Sequence, residues 1–471
     1  MSDTRKKLEG LLKLSGMKTG ADLAKEIAEA PPEAPPRPVR AAAPNPVPQS
    51  QPMPANTPGG QRARLNRLRD RLAQIADTGS EEFTWSSAPE SADPVPLAEA
   101  VPGVLIGEPE DGFYLVRQDY PLHHRHGAAA LGDLLDTQAA HFAFSASDEA
   151  LHSFDPRTAC FVDTETSGLA GGTGTVAFLI GVGYFVDDVF RLDQCFLRDY
   201  DDEEPMLAYL AEIFARCKTL VSYNGKSFDL PLLRTRFIQA RLPFRLEAAM
   251  HLDLVHVARR VWKRRLGDCS LGNVEREVLG LERHNDVPSY LIPQIWFNFL
   301  HTGDAAALGP VFYHHKMDIL SLVSLAAHLA QCLDAPEGAG FAHREDRLSI
   351  VRMHFRQKHF EDVLRLGANF LDAEPASPLR AECLEMLAFA ARAQAQADAL
   401  ETWLEQWAAE FPTPKSLVEL AKHLEHRRRD FARAAALVRQ ALEAAPKNET
   451  PPDLQHRLNR LTRKSGGNPL L

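Results

Sequence analysis

Apolar and polar positions change rhythm along the chain. Up to residue 98, helical spacing is confined to two short charged stretches, 3–28 and 61–76. Between them, residues 31–58 hold 11 prolines in 28 positions, a density that sustains neither helix nor central strand and predicts an extended linker. From about residue 101 the pattern becomes strand-like, at 103–106 and 112–118. The run 159–165 is apolar and ends in acids, and 176–186 and 189–197 are apolar strands joined by Asp187-Asp188, which predicts an antiparallel meander. Helices are expected at 204–217, 230–240, 253–265, 271–279 and 309–332, with a short strand at 220–224. Antiparallel strands followed by alternating helices and strands predict a mixed α/β sheet flanked by helices.

Beyond residue 347 the spacing is purely helical. Helix pairs end at Ala373-Glu374-Pro375, Glu410-Phe411-Pro412 and Ala444-Ala445-Pro446, the prolines 37 and 34 residues apart, near the ~34-residue period of tetratricopeptide repeats. A degenerate helical-repeat (TPR-like) region fits, and so does a generic helical bundle. The expected organisation is a mostly disordered segment 1–98, an α/β domain 99–335, an all-α region 345–446 and a flexible tail 447–471.

Composition narrows the class. With 45% hydrophobic and 25% charged residues in 471, the chain is neither wholly disordered nor a membrane protein in type. Its longest apolar run, 175–186, is broken by glycines and falls short of the ~20 residues of a spanning helix. The first residues lack the pattern of a secretory signal, so cytoplasm is the expected compartment. Six cysteines without a CxxC pair argue for reduced thiols, not zinc or disulfides. The cluster His123, His124, Arg125, His126 lacks ligand spacing and is not expected to bind metal. Net charge is −10, yet 216–285 holds 14 basic against 7 acidic residues. Arg259, Arg260, Lys263 and Arg264 concentrate that excess at the spacing of one helix face, a patch suited to phosphates or a solvated basic helix.

Three short motifs carry candidate chemistry. In Asp163-Thr164-Glu165, strand alternation puts both carboxylates on one face. Tyr223-Asn224-Gly225-Lys226-Ser227-Phe228-Asp229 leaves a strand and enters a helix; its Gly-Lys-Ser lacks the first glycine of a P-loop, since position 220 is Leu220. In Tyr313-His314-His315-Lys316-Met317-Asp318, His314 and Asp318 are four apart and share a helical face, as a base and a metal ligand would. Asp253 begins a helix and suits an N-cap.

In this order the motifs resemble those of the DEDD superfamily of 3′–5′ exonucleases, which have the RNase H-like fold. The closer resemblance is to its YprB-like branch, on the glycine-rich 168–175, on Tyr223 to Leu232, on His251-Leu252-Asp253-Leu254 and on Asp286-Val287-Pro288. The resemblance covers roughly 100–335. It implies metal-dependent hydrolysis of phosphodiester bonds at the ends of single-stranded RNA or DNA. Two divalent ions, Mg²⁺ or Mn²⁺, would be held by Asp163, Glu165, Asp229 and Asp318, with His314 as the base. Tyr313 is the alternative base and His315 a more distant one, because His314 has the spacing usual for tyrosine and Tyr313 that usual for histidine. Asn224, Lys226 and the basic helix would touch the nucleic acid, and the helical repeats would offer a surface to a protein partner. No membrane partner is expected. A catalytically inactive nucleic-acid-binding adaptor is the alternative function.

Overall fold

The computed structural model describes residues 93–168, 174–445 and 452–466, all within one compact unit. The expected helices 3–28 and 61–76, the linker 31–58 and residues 169–173 of the glycine-rich loop lie outside the described residues.

The sheet has seven strands: β1 (Val104–Glu108), β2 (Asp111–Pro121), β5 (Ala159–Thr166), β6 (Ala177–Val186), β7 (Val189–Phe196), β8 (Thr219–Ser222) and β9 (Met250–Asp253). A separate two-stranded ribbon holds β3 (Arg125–His126) and β4 (Ala129–Ala130). The order is β1-β2-β7-β6-β5-β8-β9, antiparallel as far as β5 and parallel from β5 to β9. The expected meander is β5-β6-β7, turned at Asp187 with φ 47°. β9 has only four residues, too few for a periodic signal, and was not expected as a strand.

Alternation on β5 divides the core. Phe161 faces one side, with α1 (Ala139–Ala146), α4 (Leu254–Val261) and α6 (Leu308–Asp334); Cys160 and Val162 face the other, with α2 (Glu203–Phe214), α3 (Asp229–Gln239) and α5 (Ile292–Thr302). α6 is 27 residues long and apolar enough to cross a membrane by length and composition, but 72% of its most apolar window is buried, and that burial accounts for its character.

Two expected helices are corrected. The stretch 253–265 starts one residue later, because Asp253 ends β9 and accepts a hydrogen bond from Val255 N–H as the N-cap of α4; the helix then breaks at Trp262. The stretch 271–279 keeps helical hydrogen bonding only over Leu271–Val274 and widens into a π-type turn at Glu275–Leu279, which turns Glu275 inward.

An all-helical region follows: α7 (Arg344–Arg356), α8 (Phe360–Ala373), α9 (Pro378–Ala393), α10 (Ala397–Glu410), α11 (Pro414–His423), α12 (Phe431–Ala444) and α13 (Pro452–Lys464). α13 falls where a flexible tail was expected. It is held because Leu454 and Leu461 are buried and Arg457 and Arg460 converge on buried Glu425. The apolar core of this region runs without a break into the α1/α4/α6 side of the sheet domain.

Candidate metal-dependent active site

β5 presents Asp163 and Glu165 on one face, and α6 supplies the residues opposite them. Asp163 lies in register with Gly181 of β6. A side chain at Gly181 would collide with Ile319 and come within 2.5 Å of His315 Cε1, so a bare backbone there is what lets α6 lie on the sheet. From that position buried His315 reaches down to β5. Its Nδ1 accepts from the Gln194 amide at 3.1 Å, and its Nε2–H donates to the Asp163 carbonyl at 3.1 Å. Burial pushes its pKa down to about 4. With both ring nitrogens engaged, His315 ties α6 to β7 and β5.

His314 and Asp318 stand one turn apart on α6 and turn toward Glu165. His314 Nε2 is 3.5 Å from Asp318 Oδ2 and 3.9 Å from Glu165 Oε1. Tyr313 instead has its ring 5.3 Å from the Lys316 ammonium.

Asp229 begins α3 and accepts a hydrogen bond from the Thr164 hydroxyl at 2.5 Å. The loop that carries it is fixed by Asp253, whose carboxylate accepts from Asn224 N–H at 2.7 Å and Lys226 N–H at 3.0 Å. Asn224 is left-handed, φ 67°, and a Cβ on Gly225 would sit 2.6 Å from Ser222 Cβ, so the loop needs a short polar residue and then a glycine. Asp253 thus sets the loop instead of joining the carboxylates.

The electrostatics are unbalanced. Burial, then the charges of Asp318 and Asp229, holds Asp163 and Glu165 well above the usual carboxylate range. Asp229 is pushed up to about 6 by burial, against the Thr164 hydrogen bond that lowers it.

One guanidinium offsets this charge. Arg283 donates to Asp318 through Nη2, to Glu275 through Nε at 2.7 Å and to Asp286 at 3.3 Å. Glu275, 1% exposed, also accepts from the Ser321 hydroxyl at 2.5 Å, and Ser321 accepts in turn from His126 Nε2 at 2.8 Å. His126, from the ambiguous histidine cluster, is thus a buried prop behind the site. Asp286 lies 2.9 Å from His314 Nδ1 and orients that ring. Sequence reasoning missed Arg283 and Glu275 as site residues; Asp286 was flagged only within the Asp286-Val287-Pro288 motif.

Ligand atoms of Glu165, His314 and Asp318 lie within 4.8 Å of one another. A crowd of carboxylate oxygens with more negative than positive charge fits hard divalent cations. Asp163, Glu165, Asp229 and Asp318 are the residues that would hold them.

The basic residues divide. Lys226, Arg259 and Lys263 are exposed. Arg260 donates to the Ser145 and Ala146 carbonyls at 3.0 and 2.6 Å, where α1 ends. Arg264 pairs with Glu382 of α9 at 2.6 Å, and its neighbour Arg265 with Asp346 of α7 at 2.8 Å. Part of the expected phosphate-binding face therefore fastens the sheet domain to the helical region.

The family match agrees with this architecture. Residues 160–330 match the RNase_H superfamily. The chain is 29% identical over 419 residues to YprB of Bacillus subtilis (strain 168), a match spanning 86% of this chain and 98% of that protein. Among solved structures, the family B DNA polymerase from the hyperthermophilic archaeon Pyrobaculum calidifontis aligns with a TM-score of 0.30 and 14% identity, over 44% of this chain and 30% of that one. The α/β part has an RNase H-like fold and is followed by an all-helical region.

Proposed function

We propose that this chain is a metal-dependent 3′–5′ exonuclease that hydrolyses phosphodiester bonds at single-stranded nucleic-acid ends. The observation that carries this reading is the convergence of Asp163, Glu165, Asp229 and Asp318, from three separate segments, beside a histidine already oriented by a further acid. Two divalent ions held by those carboxylates, Mg²⁺ or Mn²⁺, would stabilise charge on the attacking and leaving oxygens of an in-line displacement.

The protein's own groups do the rest. His314 donates its Nδ1–H to Asp286, which leaves Nε2 as the acceptor facing the carboxylates. A water placed there passes its proton to Nε2 as it attacks phosphorus, the bond from phosphorus to the 3′-oxygen of the shortened strand breaks, that oxygen takes a proton from solvent, and Asp286 stabilises the resulting imidazolium. Phe228, 57% exposed, precedes Asp229, and Tyr290, 72% exposed, follows Ser289, whose hydroxyl is 3.4 Å from His314 Nε2. Exposed rings at these points suit stacking of unpaired bases, which favours a single strand. Lys226, Arg259 and Lys263 are exposed cations available to its phosphates.

The test is incubation of 5′-labelled single-stranded RNA and DNA with the purified chain in Mg²⁺, Mn²⁺ or chelator, beside Asp163→Asn and Asp318→Asn. Metal-dependent stepwise shortening from the 3′ end, lost in both variants, is expected. Salt-sensitive binding without cleavage of either polymer would instead identify a non-catalytic adaptor.

A further inference from the structure

The turn between α7 and α8 gathers a second group of metal-binding side chains, away from the carboxylates. α7 ends with Lys358 in the left-handed region, φ 63°; Lys358 N–H donates to the Phe355 carbonyl and His359 N–H to the His354 carbonyl, at 3.2 and 2.9 Å. This double closure brings the residue three before the helix end beside the second residue after it. Those residues are usually apolar; here they are His354 and His359, with ring centroids 5.7 Å apart.

His359 is also the N-cap of α8, and Asp362 is the third residue of that helix. An acid there commonly accepts from the cap N–H. That N–H is already given to His354, and one Asp362 oxygen, Oδ1, accepts from Arg365 at 2.8 Å. The other, Oδ2, faces His354 Nδ1 at 3.6 Å.

That gap is too long for a hydrogen bond. It is near the separation of two ligands around one tetrahedral ion with bonds of ~2.0–2.2 Å. His354 Nδ1 is buried without a hydrogen-bond partner. Ligand atoms of His354, His359 and Asp362 all lie within 4.8 Å of one another. Phe144 of α1 lies against both imidazoles, its centroid 4.4 Å from His354 and 6.0 Å from His359, and its carbonyl accepts from Gln357 at 2.8 Å.

We propose that His354, His359 and Asp362 form a Zn²⁺ site, distinct from the carboxylate pocket, with a fourth position open to water. Two imidazoles and one carboxylate suit a borderline-soft ion rather than Mg²⁺. The ion would fix the turn between α7 and α8, against which Phe144 of the sheet domain packs.

The experiment is calorimetric titration of Zn²⁺ into metal-stripped full-length chain, with thermal unfolding followed in parallel. Asp163→Asn/Asp318→Asn weakens the other cluster and is expected to retain one tight equivalent, with a rise in Tm on Zn²⁺ addition. His359 is exposed, so His359→Ala keeps the fold, checked by circular dichroism. In the double-variant background it is expected to abolish both the tight equivalent and the Tm rise, and in the wild type to remove one equivalent. Zn²⁺ binding unchanged by His359→Ala, or absent from the double variant, overturns the proposal.

Discussion

The carboxylate pocket and the seam between the two regions treat charge in opposite ways. At the seam three cations have close partners: Arg260 takes the carbonyls that end α1, Arg264 takes Glu382, and Arg265 takes Asp346, whose side chain is 3% exposed. In the pocket the Arg283 guanidinium faces Glu275, Asp286 and Asp318 directly, with Asp163, Glu165 and Asp229 close by. Balanced charge in a packed seam is compatible with a purely mechanical role. Unbalanced charge in a recess costs folding energy, and it persists where a cation or substrate supplies the missing countercharge. Motif spacing could not separate the two. The basic helix and the acidic motifs were equally prominent in the sequence, and only the partners tell them apart.

The contrast can be broken from either side. The largest effect is expected in the pocket: His314→Asn removes the proton acceptor and should slow cleavage by about 100-fold or more in single-turnover assays while leaving the fold intact. An equally active variant would exclude His314 as base. Next is Asp346→Ala at the seam, which leaves Arg265 largely buried and unpaired and should cost on the order of 3 kcal/mol in urea unfolding.

A smaller effect follows from the raised carboxylates. The folded Asp229 pKa of about 6 lies above the 3.8 of an unperturbed aspartate, so its favourable contribution is full below pH ~4 and is lost as pH rises through 6. Metal-free protein should therefore lose on the order of 1 kcal/mol of stability between pH 5 and 7.5 from this group, and Asp229→Asn should flatten that slope. A chelated wild type whose stability is flat across this range would contradict the imbalance. The smallest effect is expected for Arg264→Ala: its pair with Glu382 is about 30% exposed on both sides, and under ~1 kcal/mol should be lost.

Much of this organisation was legible because its signals are local. Alternation marked β5, β6 and β7, and i,i+4 spacing put His314 and Asp318 on one face. The residues that escaped notice are joined across long sequence separations or lie in irregular backbone. Arg283 follows a π-type turn in a stretch without periodicity, and Glu275 is turned inward by that same turn. The link from His126 to Ser321 spans 195 residues, and nothing in either segment announces the other. His354 and His359 were missed for a different reason: their proximity depends on a left-handed Lys358, a residue type that gives no warning of that conformation.

Counting bound Mn²⁺ tests most directly whether the pocket's excess negative charge is a divalent-cation site. In equilibrium dialysis of the full chain at pH 7.5, about two Mn²⁺ per chain are expected for the wild type, with binding lost in Asp163→Asn. Unchanged Mn²⁺ binding by Asp163→Asn, or none by the wild type, would mean that the carboxylates gathered around β5 are not a metal site.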